Sequence, residues 1–192
     1  MFEPAPPSAA WQHRGARTGF EIAYFKVTES GVQIDGCTTA VEDGRAWAVD
    51  YQLTLDPSWH TRRARVATRR PGGWHTVALD TDGAGNWTVD GLPQAGLSGC
   101  LDVDLAASAL TNAFPVHRLG LDVDATTDAP AAYVHAVGLE VTRLEQVYGR
   151  IADDGPHQRF AYQAPQFDFR CTLTYDESGF VLDYPGIAVR AH

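Results

Sequence analysis

The sequence predicts a mainly β fold built on one large antiparallel sheet. Three observations carry that expectation: apolar residues alternate with period two, turn chemistry recurs at short intervals, and aromatic residues are plentiful. Period two is clearest from Trp47, where Trp47, Val49, Tyr51, Leu53 and Leu55 alternate with Ala48, Asp50, Gln52, Thr54 and Asp56. It returns at Phe167, where Phe167, Phe169, Cys171, Leu173 and Tyr175 alternate with Asp168, Arg170, Thr172, Thr174 and Asp176. Successive side chains of a strand point to opposite faces, so each run has one dry and one wet side. A sheet packed on one face has that signature. Five Trp, seven Tyr and eight Phe suit a pleated, half-buried surface.

Further strands are expected at 20–28, 31–38, 62–69, 73–79, 86–90, 138–151, 158–163, 179–184 and 187–190. Between them lie Glu29-Ser30-Gly31, Glu42-Asp43-Gly44, Pro71-Gly72-Gly73, Asp82-Gly83-Ala84-Gly85, Asp154-Gly155-Pro156 and Glu177-Ser178-Gly179, which make sequential strands hairpin partners. The alanine-rich stretch Ala106 to Asn112 predicts one or two helical turns, ended ahead of Pro115. Acidic, threonine-rich Asp122 to Pro130 reads as a surface loop. Leu139 to Arg150 has Leu144, Val147 and Ile151 at helical spacing, but its β-branched residues favour strand. The chain reads as one domain over 1–192, with an irregular arm over 1–15.

Charge and cysteine content exclude several classes. Asp and Glu number 24 against 15 Lys and Arg, a formal charge of -9, which opposes general attraction to nucleic-acid phosphates or anionic membranes. Cys37, Cys100 and Cys171 are odd in number and widely separated, so neither a disulfide framework nor a zinc site is favoured. No run approaches the ~18 apolar residues of a membrane helix, and the first fifteen residues do not read as an export signal. A cytoplasmic protein is the resulting expectation; the oligomeric state is not legible.

Most catalytic and cofactor motifs fail on inspection. Asp80-Thr81-Asp82-Gly83 starts like a calcium loop, but Ala84 and Gly91 stand where oxygen ligands are needed, so a hairpin turn is the better reading. Gly83-Ala84-Gly85 lacks the third glycine of a dinucleotide fingerprint, and no P-loop lysine occurs. No cofactor is therefore expected. His13, His60, His75, His117, His135, His157 and His192 show no metal-ligand spacing, and no metal is expected.

Other residues keep two readings. If extended, Asp102 and Asp104 share one face about 6.6 Å apart, as an acid–base couple or metal seat, or else exposed or paired with arginines. Thr111 and Asn112 suit the polar end of a pocket, and Arg118 an anionic headgroup, although Asn112 also fits a turn and Arg118 a partner to either Asp. Arg63, Arg65 and Arg69 share a strand face, solvated or anion-binding. Tyr148, Tyr162 and Tyr184 suit either a ligand or cross-strand stacking.

The stretch Asp102-Val103-Asp104-Leu105, Thr111-Asn112, Pro115 and Arg118-Leu119, with Gly179-Phe180-Val181-Leu182-Asp183-Tyr184-Pro185-Gly186, resembles the bacterial family known as putative glycolipid-binding. Further likeness lies in Gly19-Phe20-Glu21, Asp56 to Arg62, Gly85-Asn86-Trp87, Gln146-Val147-Tyr148 and Phe160-Ala161-Tyr162, so it spans nearly the whole chain. Ala109-Leu110 and His117 depart from the family pattern. The resemblance implies a twisted antiparallel sheet curled into a half-barrel or barrel, similar to lipoprotein carriers. Taken with the readings above, the candidate ligand-binding residues are Asp102, Asp104, Thr111, Asn112, Arg118, Tyr148, Tyr162, Asp183 and Tyr184.

Three functions follow, in order of preference. The first is non-catalytic binding of a lipid or glycolipid in an apolar hollow of the curved sheet, lined by Trp47, Tyr51, Phe169, Tyr175 and Phe180. The second is a protein-interaction module. The third is an enzyme using Asp102, Asp104, His117 and Arg118.

Overall fold

The computed structural model describes residues 2–15, 17–70 and 72–191. Met1 of the expected arm, Pro71 of the expected Pro71-Gly72-Gly73 turn and His192 lie outside the described residues.

The first half of the chain is a meander: β1 (Ser8–His13), β2 (Arg17–Thr28), β3 (Gly31–Glu42), β4 (Arg45–Leu55), β5 (Thr61–Arg70), β6 (Gly73–Thr81), β7 (Trp87–Val89) and β8 (Leu92–Pro93). The second half contributes β9 (Asp102–Leu105), α1 (Ala113–Leu119), β10 (Thr126–Asp128), β11 (Ala131–Val134), β12 (Val141–Leu144) and β13 (Val147–Asp154). It ends with β14 (His157–Ala164), β15 (Phe169–Tyr175), β16 (Val181–Tyr184) and β17 (Ala188–Ala191). Fourteen strands form one antiparallel sheet in the order β10-β13-β14-β15-β16-β17-β1-β2-β3-β4-β5-β6-β7-β8. The sheet is open, and its edges β10 and β8 have only three and two residues, which limits unpaired backbone there. A small second sheet, β12-β11-β9, pairs β9 with β11 in parallel, joined by a crossover that contains α1.

Period two is realised in β4, where Trp47, Val49, Tyr51, Leu53 and Leu55 are all buried. Its turn from β3 places Asp43 and Gly44 at φ 49° and 72°, the two-residue hairpin geometry that matches strand twist. In β2 the pattern is inverted. Glu21 and Ala23 are buried, while Phe20 and Tyr24 of the opposite face are exposed.

Several local expectations are corrected. The arm over 1–15 contains β1, which pairs with both β17 and β2 and joins the two halves of the sheet. Residues 138–151 are not one strand: the chain breaks between β12 and β13, which belong to different sheets. The helix comes after Ala106–Asn112 and includes Pro115. A 3-10 turn over Leu110–Asn112 leads into α1, where Pro115 is the third residue and its missing N–H is one that no helical carbonyl would accept. Within the expected loop 122–130, Thr126–Asp128 pairs with β13. The Arg63 and Arg65 side chains lie on the outer face, both bound to Asp80.

Candidate functional site

The inner face of the sheet is filled by the chain itself. Cys100, Val103, Leu105, Leu110, Phe114 and Val116, from β9, α1 and their connections, are buried against it. The hollow expected from the sheet alone is therefore occupied, because the crossover between β9 and β11 passes through it.

Three buried carboxylates hold this internal segment. Glu21, fully buried, accepts from Tyr51 Oη (2.6 Å), from the Ala109 amide (2.7 Å) and from Ser108 Oγ. Tyr51 reaches Glu21 across Gly36, its partner on β3; a Cβ on Gly36 would lie 2.3 Å from the ring Cζ. Asp102 takes a bidentate pair from Arg118, with Nε 3.1 Å from Oδ1 and Nη2 2.6 Å from Oδ2. Asp104 accepts from Thr111 Oγ1 (2.8 Å) and Gln146 Nε2 (2.5 Å). Burial raises the pKa of all three, taking Asp104 to about 6, although hydrogen bonds pull the other way.

The structure brings together most of the residues singled out in the sequence. Asn112 Oδ1 accepts from Tyr148 Oη (2.8 Å), and its carbonyl from Tyr175 Oη (3.1 Å). Tyr162 Oη accepts from Gln146 Nε2 (2.9 Å), and its ring lies 5.9 Å from that of Tyr184. Asp183 stands apart: it is exposed, on the face opposite its neighbour Tyr184. His117 is also separate from the carboxylates. Consecutive helical residues point about 100° apart, so while Arg118 meets Asp102, His117 stacks on Trp59 with ring centroids 3.6 Å apart. Burial lowers its pKa to about 4 and leaves it neutral. The proposed Asp102, Asp104, His117 and Arg118 cluster is not assembled around one point.

Two of the spaces among the described residues lie toward opposite ends of β2. An open cleft of ≈ 840 Å³ lies beside the β2–β3 turn and the C-terminal end of α1. Phe2, Val27, Trp59, Val116, Leu121 and Phe160 supply its apolar walls. Its ionisable and amide groups are Glu3, Asp122, Gln158 and neutral His117; no Lys or Arg is among the described residues that line it. The second space, ≈ 190 Å³, lies beside Arg17 and is lined by Asp104, Asn112, Tyr162 and Tyr184 among others. From Arg17 to Val27 the extended chain of β2 covers about 33 Å, but the inner walls come closer: Phe160 of the cleft and Tyr162 of the second space are two residues apart on β14.

Comparison with known proteins bears on this architecture. A family model described as "Putative glycolipid-binding" matches residues 8–190. The chain belongs to that family. It is similar to the crystal structure of a DUF1089 family protein from Pseudomonas aeruginosa, with 28% identity and a TM-score of 0.75 over 100% of this chain and 99% of the other. It shares its fold with a beta-barrel-like protein of the DUF1849 class from Brucella abortus, at 12% identity and a TM-score of 0.53 over 99% and 96% of the two chains. No curated protein matches. The open, curved sheet thus agrees with the half-barrel that the sequence resemblance implied. Among the described residues no helix is long and apolar enough to cross a membrane.

Sequence reasoning missed Glu21 as a site-forming residue, along with Trp59, Phe2 and Leu121 of the cleft. The sequence signal for Glu21 points the other way: period two on β2 puts Phe20, Ile22 and Tyr24 inside, whereas Glu21 and Ala23 are the buried residues.

Proposed function

We propose that the chain binds an uncharged amphiphile, a glycolipid, with its apolar tail in the ≈ 840 Å³ cleft rather than in the sheet interior. The lining of that cleft carries the reading. Its volume falls within the ~300–1,000 Å³ range of small-molecule sites, and its walls are apolar and aromatic. Each tail methylene buried there contributes about 0.8 kcal/mol before binding costs. Glu3, Asp122 and Gln158 accept or donate hydrogen bonds to hydroxyl groups, whereas two carboxylates without a lining cation disfavour a phosphate or sulfate head. In this reading Asp102, Thr111, Asn112, Arg118 and Tyr148 position the internal segment that forms one wall, and Asp183 takes no part.

The test pairs an alkyl glycoside with an alkyl phosphate of equal chain length, followed by tryptophan fluorescence and isothermal titration. The glycoside is expected to bind at least about tenfold more tightly, a difference of ~1.4 kcal/mol. Leu121→Arg, at the cleft wall, should abolish glycoside binding. Equal binding of the two amphiphiles, or an unchanged affinity in Leu121→Arg, overturns the proposal.

A further inference from the structure

Asp104 differs from the other buried carboxylate of β9 in having no salt-bridge partner among the described residues; Arg17, which lines the same pocket, acts on it only at a distance. Asp102 is neutralised by Arg118. Asp104, only 7% exposed, has neutral donors alone, the Thr111 hydroxyl and the Gln146 amide, and no Lys, Arg or His of the described residues forms a salt bridge with it. A buried charge of this kind is costly unless a counter-charge reaches it.

The space beside it is walled by aromatic rings. Tyr133, Tyr162, Phe167, Phe169 and Tyr184 line the ≈ 190 Å³ pocket with Asp104. Tyr162, Phe169 and Tyr184 form a corner: their centroids are 5.9 to 6.3 Å apart, and their planes meet at 85°, 64° and 59°. Tyr133 and Phe167 form a second steep pair at 5.5 Å and 55°. In such edge-to-face pairs a ring edge covers one neighbouring face and leaves the other face of each ring uncovered by that contact. Ring faces carry negative potential and attract a cation within about 6 Å of the centroid.

The protein leaves these faces without a cation of its own. Among the described residues, guanidinium groups lie over Trp47, Trp74, Phe160 and Trp11. Arg17, the one arginine lining the pocket, is the group held over Trp47, 5.7 Å from its centroid.

We propose that this pocket binds a quaternary ammonium group, with the rings as walls and the Asp104 carboxylate as counter-charge. A methylated nitrogen fits better than a primary ammonium. It has no N–H to satisfy, and aromatic walls offer few hydrogen-bond acceptors, so an –NH3+ group would lose its water uncompensated. No described residue lines both this pocket and the amphiphile cleft, so different variants test the two proposals.

Choline and ethanolamine, titrated by calorimetry and ligand-observed NMR at pH 7.5, give the decisive comparison. Choline is expected to bind, and ethanolamine at least about tenfold more weakly. Asp104→Asn and Phe169→Leu should each weaken choline on the order of tenfold. Thermal unfolding and the far-UV circular dichroism spectrum report whether each variant is folded. Because Asp104 must be ionised, choline affinity should fall as pH drops below about 6. Phosphatidylcholine vesicles distinguish two sources: co-sedimentation that choline competes away assigns a lipid headgroup, and choline binding without it assigns a free small molecule. No choline binding, equal affinity for ethanolamine, or an unchanged affinity in folded Asp104→Asn and Phe169→Leu overturns the proposal.

Discussion

Removing the Glu21 carboxylate should detach the internal segment from the sheet. In Glu21→Ala three donors lose their acceptor: the Tyr51 and Ser108 hydroxyls and the Ala109 amide. The hydroxyls can rotate toward water entering the space left by the side chain. The amide is fixed by the backbone and cannot. One orphaned buried amide costs about 1–3 kcal/mol, and truncating a packed side chain adds a cavity term. Offsetting both, a buried carboxylate with a raised pKa no longer has to be desolvated. The balance is a loss of about 3 kcal/mol, which for a chain of this length lowers Tm by roughly 6–12 °C. Urea unfolding measures the loss, and hydrogen exchange localises it, with the Ala109 amide and its neighbours exchanging faster than β4. A Glu21→Ala protein within about 1 kcal/mol of the parent, or with Ala109 protection unchanged, refutes the claim that this carboxylate anchors the segment.

Gly36→Ala should destabilise by about 1–3 kcal/mol through overpacking, because the new Cβ meets the Tyr51 ring at 2.3 Å and Glu21 holds that ring's hydroxyl; the urea midpoint reads it. Arg118→Met alone strands Asp102 and should cost about 3–5 kcal/mol, whereas Asp102→Asn combined with Arg118→Met should recover part of that loss, giving a coupling energy in a double-mutant cycle. Asp183→Ala should change stability by no more than about 0.5 kcal/mol, as for an exposed residue whose side chain bonds none of the described residues. For His117, burial lowers the folded pKa from 6.5 to about 4, so between those values the unfolded chain binds the proton that the native ring refuses. Stability contributed by the neutral ring is present above about pH 6.5 and falls by about 3 kcal/mol as pH drops to about 4. Asp104 works in the opposite sense, since its raised pKa makes the native state gain as pH falls below about 6. His117→Phe should therefore become more stable relative to the parent on acidification from pH 7 to 4, as followed by Tm.

The strands were legible because a half-buried sheet leaves its period in the sequence. β4 could be read residue by residue and β15 from Phe169 on, whereas Phe167, the expected start of that run, lies exposed in a 3-10 turn; the Asp43-Gly44 turn adopts the positive φ that its residue types permit. β1 was not legible, since Ser8-Ala9-Ala10 lacks the large apolar residues that mark a strand, and its place is set by two distant partners, β2 and β17. Helical or strand spacing over 138–151 gave no hint of the break at Glu145-Gln146, because the break is imposed by which sheet each half joins. Within the site, residue identity was readable and direction was not. Asp102, Asp104, Thr111, Asn112, Arg118, Tyr148 and Tyr162 are all polar groups in apolar surroundings, and the sequence marks them equally as ligand contacts or as mutual partners. Only the path of the crossover through the sheet decides that most of them are each other's partners.

That path also accounts for the charges inside. A wholly apolar segment laid against an apolar inner face could slip by two residues along a strand and still bury the same side chains, because strand positions repeat with period two. Glu21, Asp102 and Asp104 each accept from a different set of donors, and a slip of the segment would leave buried carboxylates and the Ala109 amide unpaired at once. Their penalty when unmatched fixes one placement. That placement puts Val116 and His117 at the cleft and Asp104 at the aromatic pocket. The same hydrogen bonds that make these residues poor direct contacts for a large ligand therefore set the shape of both spaces where a ligand fits.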